Sequence, residues 1–184
     1  MKIGILGGTF DPFHQGHLRI ATEAAKKLDR VVIVPTICDY YRADGRKLFT
    51  FDERCQIITQ MISGHPNDIT LDTVERNEGK DWRFINTVEY FKEKFPKDEL
   101  YVIIGEDSYE NFKTWSRWED ILKLAKLLVV QRGTPDDIVK DIPCDELVIG
   151  KDFLELSSTK VRNKLISELM DMYLDDAEWY NDLR

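Results

Sequence analysis

The sequence predicts an α/β fold, a doubly wound, Rossmann-like parallel sheet of about five or six strands with helices on both faces and a C-terminal helical segment. Two observations predict it. Short apolar runs recur along the chain, and longer segments with helical spacing separate them. The right-handed crossover rule then leaves few topologies. A length of 184 residues with 42% hydrophobic and 33% charged residues indicates one globular domain over residues 1–184.

The predicted strands are nearly continuous runs of Ile, Val and Leu, which is typical of strands buried on both faces. They are IGILG (3–7), VVIVP (31–35), ITLDTV (69–74), YVIIG (101–105) and LLVVQ (127–131).

The predicted helices alternate with these strands and occupy 17–28, 51–62, 82–95, 116–125 and 159–174. Thr50 and Glu53 form a capping box at the start of the second, and Asp81 precedes the third. Ser157 and Ser158 precede the last helix, whose segment we begin at about residue 157.

Composition narrows the class of partner. A formal net charge of −8 argues against general binding of nucleic acid and favours a small-molecule partner. Cys38, Cys55 and Cys144 are odd in number and widely spaced, so we expect reduced, structural thiols. No apolar stretch approaches the ~20 residues of a membrane span, and the N-terminus lacks a signal-peptide pattern. The expected location is the cytoplasm, with no membrane partner.

The loop after the first strand reads GGTFDPFHQGH (7–17). Its two glycines let backbone amides approach an anion, and the helix that follows directs unpaired N–H groups at the same point. His14 and His17, three residues apart, would lie on one side of the first helical turn and donate to phosphate oxygens. The loop is neither a dinucleotide fingerprint nor a P-loop, which disfavours hydride transfer and kinase chemistry.

This loop resembles the H-x-G-H signature of the nucleotidyltransferase superfamily, and its G-T-F-D-P-x-H-x-G-H form is most similar to bacterial nicotinate-nucleotide adenylyltransferases. L-S-S-T-K-V-R (156–162) resembles the second signature of that family, I-S-S-T-x-x-R. The resemblance implies an enzyme that binds ATP with Mg²⁺. The residues it implies for ATP are Gly7, Gly8, Thr9, Phe10, His14, His17, Ser157, Ser158, Thr159 and Arg162.

I-G-E-D-S-Y-E-N-F-K-T-W (104–115) resembles a third family segment. It implies that Gly105 lies against adenine, that Asp107 meets a ribose hydroxyl and that Trp115 stacks on the pyridine ring of the acceptor. Arg132, at the end of LLVVQR, is expected to reach an acceptor phosphate.

Two segments depart from the family pattern. Its P-P-H-K loop is missing after VIVP, where Lys47 instead resembles a lysine of pantetheine-phosphate adenylyltransferases and is expected to position the acceptor. The S-Y-T-x-D-T-L stretch appears as W-R-F-I-N-T-V (82–88), which retains only Thr87 as an acceptor-binding candidate. The alternatives to nicotinate mononucleotide are therefore nicotinamide mononucleotide, phosphopantetheine, another phosphomonoester, or a catalytically idle nucleotide-binding protein.

The expected mechanism is attack by an acceptor phosphate oxygen on the α-phosphorus of ATP, catalysed by orientation and electrostatics. We assign the transition-state α-phosphate to His17, the departing pyrophosphate to His14 and Arg162, and the acceptor to Lys47. Mg²⁺ would have mainly water and phosphate ligands, so no protein metal ligand is predicted. The aromatic cluster Tyr40, Tyr41, Phe49 and Phe51 fits either a lid over the acceptor or a subunit contact in a homo-oligomer.

Overall fold

The computed structural model describes residues 1–37, 48–65, 68–76, 82–132, 141–149 and 157–168. The strands are β1 (Lys2–Gly8), β2 (Arg30–Pro35), β3 (Ile69–Leu71), β4 (Glu99–Gly105), β5 (Ala125–Arg132) and β6 (Cys144–Ile149). The helices are α1 (Gln15–Ala25), α2 (Phe51–Ile62), α3 (Phe84–Lys94), α4 (Glu106–Glu110), α5 (Trp118–Leu124) and α6 (158–168). Short 3₁₀ turns occupy Val74–Arg76 and Phe112–Thr114.

The six strands form one parallel sheet in the order β3-β2-β1-β4-β5-β6. From β1 the chain adds β2 and then the edge strand β3. It then returns to the centre at β4, beside β1, and adds β5 and the edge strand β6. The direction of winding reverses between β1 and β4, and ligands of such sheets bind in the crevice beyond the strand ends at that point.

The register of the two central strands opens this crevice. β1 pairs with β4 from Lys2 and Glu99 only as far as Ile5 and Val102, although both strands continue for three more residues. On its other side β1 stays paired with β2 as far as Gly8. The carboxyl ends of β1 and β4 therefore diverge and leave space between them.

Alternate residues of each strand face two separate apolar cores. On one face, Ile5, Val102 and Val129 pack with α3 and α5. On the other, Ile33 and Ile103 pack with α1 and α2. The full set of buried strand residues on the first face is Ile3, Ile5, Val32, Val34, Leu100, Val102, Ile104, Ala125, Leu127 and Val129. Helices thus cover both faces of the sheet, as predicted.

Most predicted elements are confirmed, and the differences have local reasons. The capping box of Thr50 and Glu53 is present, with the Glu53 N–H donating to the Thr50 hydroxyl at 3.3 Å. The third helix begins at Phe84 with Arg83 as its N-cap, and Asp81 lies outside the described residues. The third strand ends at Leu71 because the chain turns into the 3₁₀ segment that carries Glu75.

Two elements have weak sequence signals. β6 has only two buried residues, Leu147 and Ile149, because it is an edge strand, and its CDELVI pattern was not among the predicted strands. α4 has five residues, too few for a helical period to show. Over the described ranges, no helix is long and apolar enough to span a membrane. Cys55 and Cys144 are free thiols, and Cys38 lies outside those ranges.

Candidate active site

A cleft of about 590 Å³ lies where β1 and β4 diverge. Its walls come from both strand ends, from the loop after β1, from the start of α3 and from α6. The lining residues are Leu6, Gly7, Gly8, Thr9, Phe10, Asp11, His17, Ile20, Thr36, Glu75, Trp82, Phe84, Ile103, Ile104, Gly105, Asp107, Ser108, Asn111, Trp115, Ser158 and Arg162. A volume of this size suits a nucleotide-sized ligand.

The glycine loop is closely packed against the start of α3. A Cβ at Gly7 would overlap the ring of Phe84. The carbonyl of Gly8 accepts a hydrogen bond from the Thr36 N–H at 2.9 Å, which joins the ends of β1 and β2. Phe10 has a φ of 50°, a left-handed conformation that is unfavourable for a bulky residue and is held here by burial of its ring. The loop therefore has a fixed shape.

His14 and His17 form the start of α1, and each ring binds a backbone N–H. His14 is the N-cap, and its Nδ1 accepts from the Gly16 N–H at 3.1 Å. The Nδ1 of His17 accepts from the His14 N–H at 3.3 Å. A neutral ring whose Nδ1 accepts must carry its proton on Nε2. Each neutral histidine can therefore donate from Nε2, and of the two rings that of His17 lines the cleft.

α6 is fixed to the glycine loop by two of its predicted site residues. The Ser158 hydroxyl donates to the carbonyl of Pro12 at 3.1 Å, and the Arg162 guanidinium donates to the carbonyl of Asp11 at 2.5 Å. Arg162 also donates to the Thr159 hydroxyl at 3.0 Å. The structure thus brings the first and last motifs of the chain together at one cleft.

Ser157 caps α6. Its hydroxyl accepts from the Lys160 N–H at 3.2 Å, and its carbonyl accepts from the Val161 N–H at 3.0 Å. Ser157 and Thr159 are exposed, whereas Ser158 and Arg162 are part-buried and line the cleft.

The opposite wall comes from the end of β4 and the segment after it. Gly105 has open space around it, with no atom within 4 Å of the position a Cβ would take. Asp107 is exposed and lines the cleft. The indole of Trp115 is held by Phe84, edge-on at 5.3 Å between ring centroids, and by Phe112 at 5.3 Å. This wall offers a flat aromatic surface beside a carboxylate.

Two buried acidic residues of the cleft are absent from the sequence prediction. Asp11 is 1% exposed and accepts from the N–H groups of Leu48 and Phe49, at 3.1 and 2.8 Å, which fixes the start of α2 to the glycine loop. Glu75 is 3% exposed and lines the cleft. Burial raises the pKa of the Glu75 carboxyl, and hydrogen bonds from Thr87, Thr36 and the Ile37 N–H oppose that rise.

A buried cation accompanies these acids. Arg54, 1% exposed, donates to the carbonyl of Thr9 and, at 3.0 Å, to that of Thr36. Arg54 is the fourth residue of an amphipathic helix, where a charged side chain is normally expected to be exposed. The sequence therefore does not predict that Arg54 is buried. Glu75 follows the apolar run 69–74, and Asp11 lies within the G-T-F-D-P motif; neither position by itself predicts a buried acid.

Thr87, Arg132 and Lys47, which the sequence predicts to bind the acceptor, are not among the described residues that line the cleft. Thr87 is fully buried in α3, and its hydroxyl donates to Glu75 at 2.7 Å. It therefore reaches the cleft only through that carboxylate. Arg132 is the last residue of β5. Lys47 lies outside the described residues, as do Tyr40 and Tyr41.

Comparison with known proteins identifies the family of the chain. The cytidylyltransferase-like family matches residues 5–164. A probable nicotinate-nucleotide adenylyltransferase of Syntrophotalea carbinolica is 31% identical over 199 residues, covering 95% of this chain and 90% of that protein. One from Pelobacter propionicus is 40% identical over 135 residues, covering 72% of this chain and 61% of that protein.

Solved structures agree on the fold. Plasmodium falciparum nicotinic acid mononucleotide adenylyltransferase complexed with NaAD superposes with a TM-score of 0.71 at 21% identity, covering 88% of this chain and 82% of that one. A putative nicotinate-nucleotide adenylyltransferase from Vibrio parahaemolyticus gives 0.65 at 19% identity, covering 91% and 88%. Together with the motifs of the cleft, these matches show that the chain belongs to the cytidylyltransferase-like family and, within it, to the nicotinate-nucleotide adenylyltransferases.

Proposed function

We propose that the protein transfers AMP from ATP to nicotinate mononucleotide, giving deamido-NAD and pyrophosphate in NAD biosynthesis. One observation carries the proposal. Three side chains able to donate hydrogen bonds to phosphate, those of His17, Ser158 and Arg162, line the same cleft as the indole of Trp115. This arrangement suits two nucleotides that meet through their phosphates.

The reaction needs no protein nucleophile. An oxygen of the acceptor phosphate forms a bond to the α-phosphorus of ATP, and the bond from that phosphorus to the bridging oxygen of the β-phosphate breaks. Pyrophosphate leaves with that electron pair. Catalysis then depends on alignment of the two substrates and on donors placed where charge develops.

The Nε2–H of His17 is the donor we assign to the α-phosphate in the transition state. His14 stacks on His17 and, with Arg162, is assigned to the leaving pyrophosphate. Each Nδ1 accepts a backbone N–H, which orients the ring and leaves Nε2–H as its donor.

The remaining parts of the two substrates are assigned to residues along the walls of the cleft. We place adenine beside Gly105, its ribose at Asp107 and the phosphates at the glycine loop with Thr9, Phe10 and the residues of α6. Trp115 takes the pyridine ring, with Arg132 and Lys47 assigned to the acceptor phosphate.

Mg²⁺ is proposed as the cation that enters with ATP, where it would neutralise the charge of the triphosphate. Among the residues described, no three His, Cys, Asp or Glu side chains lie together in a way that could hold a metal ion. We propose that the ligands of this cation are mainly phosphate oxygens and water.

Nicotinamide mononucleotide is the second candidate acceptor. Trp82 and Phe84 line the cleft where the family segment has Ser and Thr, and Glu75 adds a carboxylate to the same wall. Apolar rings beside a carboxylate favour a neutral carboxamide over a second carboxylate.

Pyrophosphate release with MgATP tests the proposal, using nicotinate mononucleotide, nicotinamide mononucleotide and phosphopantetheine in parallel. We expect the highest kcat/KM with nicotinate mononucleotide and formation of deamido-NAD. A higher kcat/KM with another acceptor would replace the acceptor assigned here. Binding of ATP without release for any of the three would identify an idle nucleotide-binding protein.

A further inference from the structure

Glu75 is a buried acid of the cleft with several hydrogen-bond partners. It lies in the 3₁₀ turn Val74–Arg76, between β3 and α3. Its Oε1 accepts the Thr87 hydroxyl at 2.7 Å, and its Oε2 accepts the Ile37 N–H at 3.2 Å. The Thr36 side chain also hydrogen-bonds to it. One carboxylate therefore joins the end of β2 to α3.

The joined elements form the acceptor side of the cleft. α3 begins at Phe84, whose ring lines the cleft and packs edge-on against Trp115. Thr36, at the end of β2, lines the same cleft. The hydrogen bonds of Glu75 thus set the distance between the end of β2 and the start of α3. An acceptor must fit between these two walls.

The opposite side of the cleft is held by other groups. Ser158 and Arg162 bond to carbonyls of the loop after β1, and neither interaction involves Glu75. A change at Glu75 or Thr87 therefore acts first on Thr36 and α3, and it removes no hydrogen-bond partner of Ser158 or Arg162.

Burial of the Glu75 carboxyl is unfavourable, and the charge of the buried Arg54 offsets part of that cost. Compensation of Arg54 does not by itself require the hydroxyl of Thr87, which is a separate hydrogen-bond partner of Glu75. The hydroxyl of Thr87 is likewise fully buried and serves only this acid among the contacts the structure gives it. Glu75 lies in the wall of the cleft, and its hydrogen bond to Thr87 fixes the spacing between that wall and α3.

We propose that Glu75 is a positioning residue for the acceptor, and that Thr87 acts through it. Glu75 holds the end of β2 at a fixed separation from α3, so that the mononucleotide enters a preformed space beside Trp115. This inference rests on the proposed adenylyl transfer and explains how a buried threonine affects an acceptor that it does not touch.

Thr87→Val tests the link because it removes the hydroxyl with little change of volume. Thr87→Val loses one hydrogen bond to a charged group. We expect this loss to raise the KM for the acceptor by about tenfold. We expect the KM for ATP, and the Kd for a non-hydrolysable ATP analogue measured by calorimetry, to stay within twofold of wild type. Thr87→Ser keeps the hydroxyl and should restore the acceptor KM.

Thr59→Val is the matched control. The Thr59 hydroxyl donates to the Cys55 carbonyl within its own helix, away from the cleft, so neither KM should change. Glu75→Gln is the second variant if Thr87→Val folds poorly, and it should also raise the acceptor KM selectively because one amide cannot accept at both positions.

An acceptor KM that is unchanged in both Thr87→Val and Glu75→Gln overturns the inference, as does an equal rise in the KM for ATP. A lower melting temperature without a selective KM change also overturns it, because that result indicates a structural role. If wild type turns over none of the acceptors, the proposed function fails. Calorimetric binding of nicotinate mononucleotide in the presence of the ATP analogue then decides the inference, with absence of binding counting against it.

Discussion

The imidazole rings of His14 and His17 stack with their centroids 3.7 Å apart and their planes 22° from parallel. His17 is also enclosed by aromatic rings, with Phe10 edge-on at 5.0 Å and Phe13 stacked at 5.3 Å. Backbone donors at both Nδ1 atoms fix which nitrogen faces outward. The pair is therefore oriented before any ligand arrives, which is the property that electrostatic catalysis requires.

His17→Ala should lower kcat for pyrophosphate release by about 10²–10³-fold, the range observed when one donor to a transition-state oxyanion is removed. The affinity for ATP should fall much less, because the glycine loop and α6 remain. His65→Ala is the matched control, since His65 is the third histidine of the chain and is exposed beyond the end of α2. Equal kcat values for His17→Ala and wild type would exclude His17 from the transition state.

Arg162→Lys keeps the positive charge of α6 but loses the planar group that bonds the Asp11 carbonyl and the Thr159 hydroxyl together. We expect kcat/KM for ATP to fall by about tenfold or more, as for a lost charge-assisted hydrogen bond. Arg19→Lys is the matched control because Arg19 pairs with Glu23 on the exposed side of α1. The assignment is wrong if steady-state kinetics give the same kcat/KM for both variants.

Gly7→Ala should mainly lower the stability of the fold, whereas Gly105→Ala should mainly weaken the binding of ATP. A Cβ at Gly7 overlaps the Phe84 ring, so the free energy of unfolding should fall by about 1–3 kcal/mol, the usual effect of overpacking. Gly105 has open space, so its alanine should unfold like wild type yet weaken ATP binding if adenine lies there. Urea denaturation and calorimetry separate the two effects.

Adding Phe84→Leu should recover part of the stability lost in Gly7→Ala, because a smaller side chain leaves room for the new methyl group. A double variant that is no more stable than Gly7→Ala would place the strain elsewhere in the loop.

Glu75 gives a pH dependence of stability with a defined sign. Burial raises the pKa of its carboxyl above the ordinary value of 4.5, although Arg54 acts in the opposite direction. The folded state then binds more protons than the unfolded state between the two pKa values, so this group makes wild type less stable as pH rises through that window. Glu75→Gln lacks this dependence.

The free energy of unfolding of Glu75→Gln minus that of wild type should therefore increase from pH 4.5 upward and level off above the raised pKa. Urea denaturation at a series of pH values measures the difference. A difference that falls with pH would mean that the folded protein favours the charged carboxylate.

The sequence predicted the sheet because strands buried on both faces produce continuous apolar runs, and β1, β2, β4 and β5 all have this pattern. It missed β6 because an edge strand buries few side chains. Gly7, His17, Gly105, Trp115, Ser158 and Arg162 were all predicted as site residues and all line one cleft. These residues lie in short motifs, in which the residue types that bind a ligand are close together in sequence and can therefore be recognised without the structure.

The sequence by itself determined the fold class, the position of the glycine loop and the pairing of a histidine motif with a C-terminal Ser-Ser-Thr motif. Only the tertiary structure decided that Thr87 reaches the cleft through Glu75, and that Arg54 joins Thr9 to Thr36. The physical reason is that burial of a charged side chain depends on partners distant in sequence. Glu75 and Thr87 are 12 residues apart in two elements, and no periodicity within either element indicates that they meet.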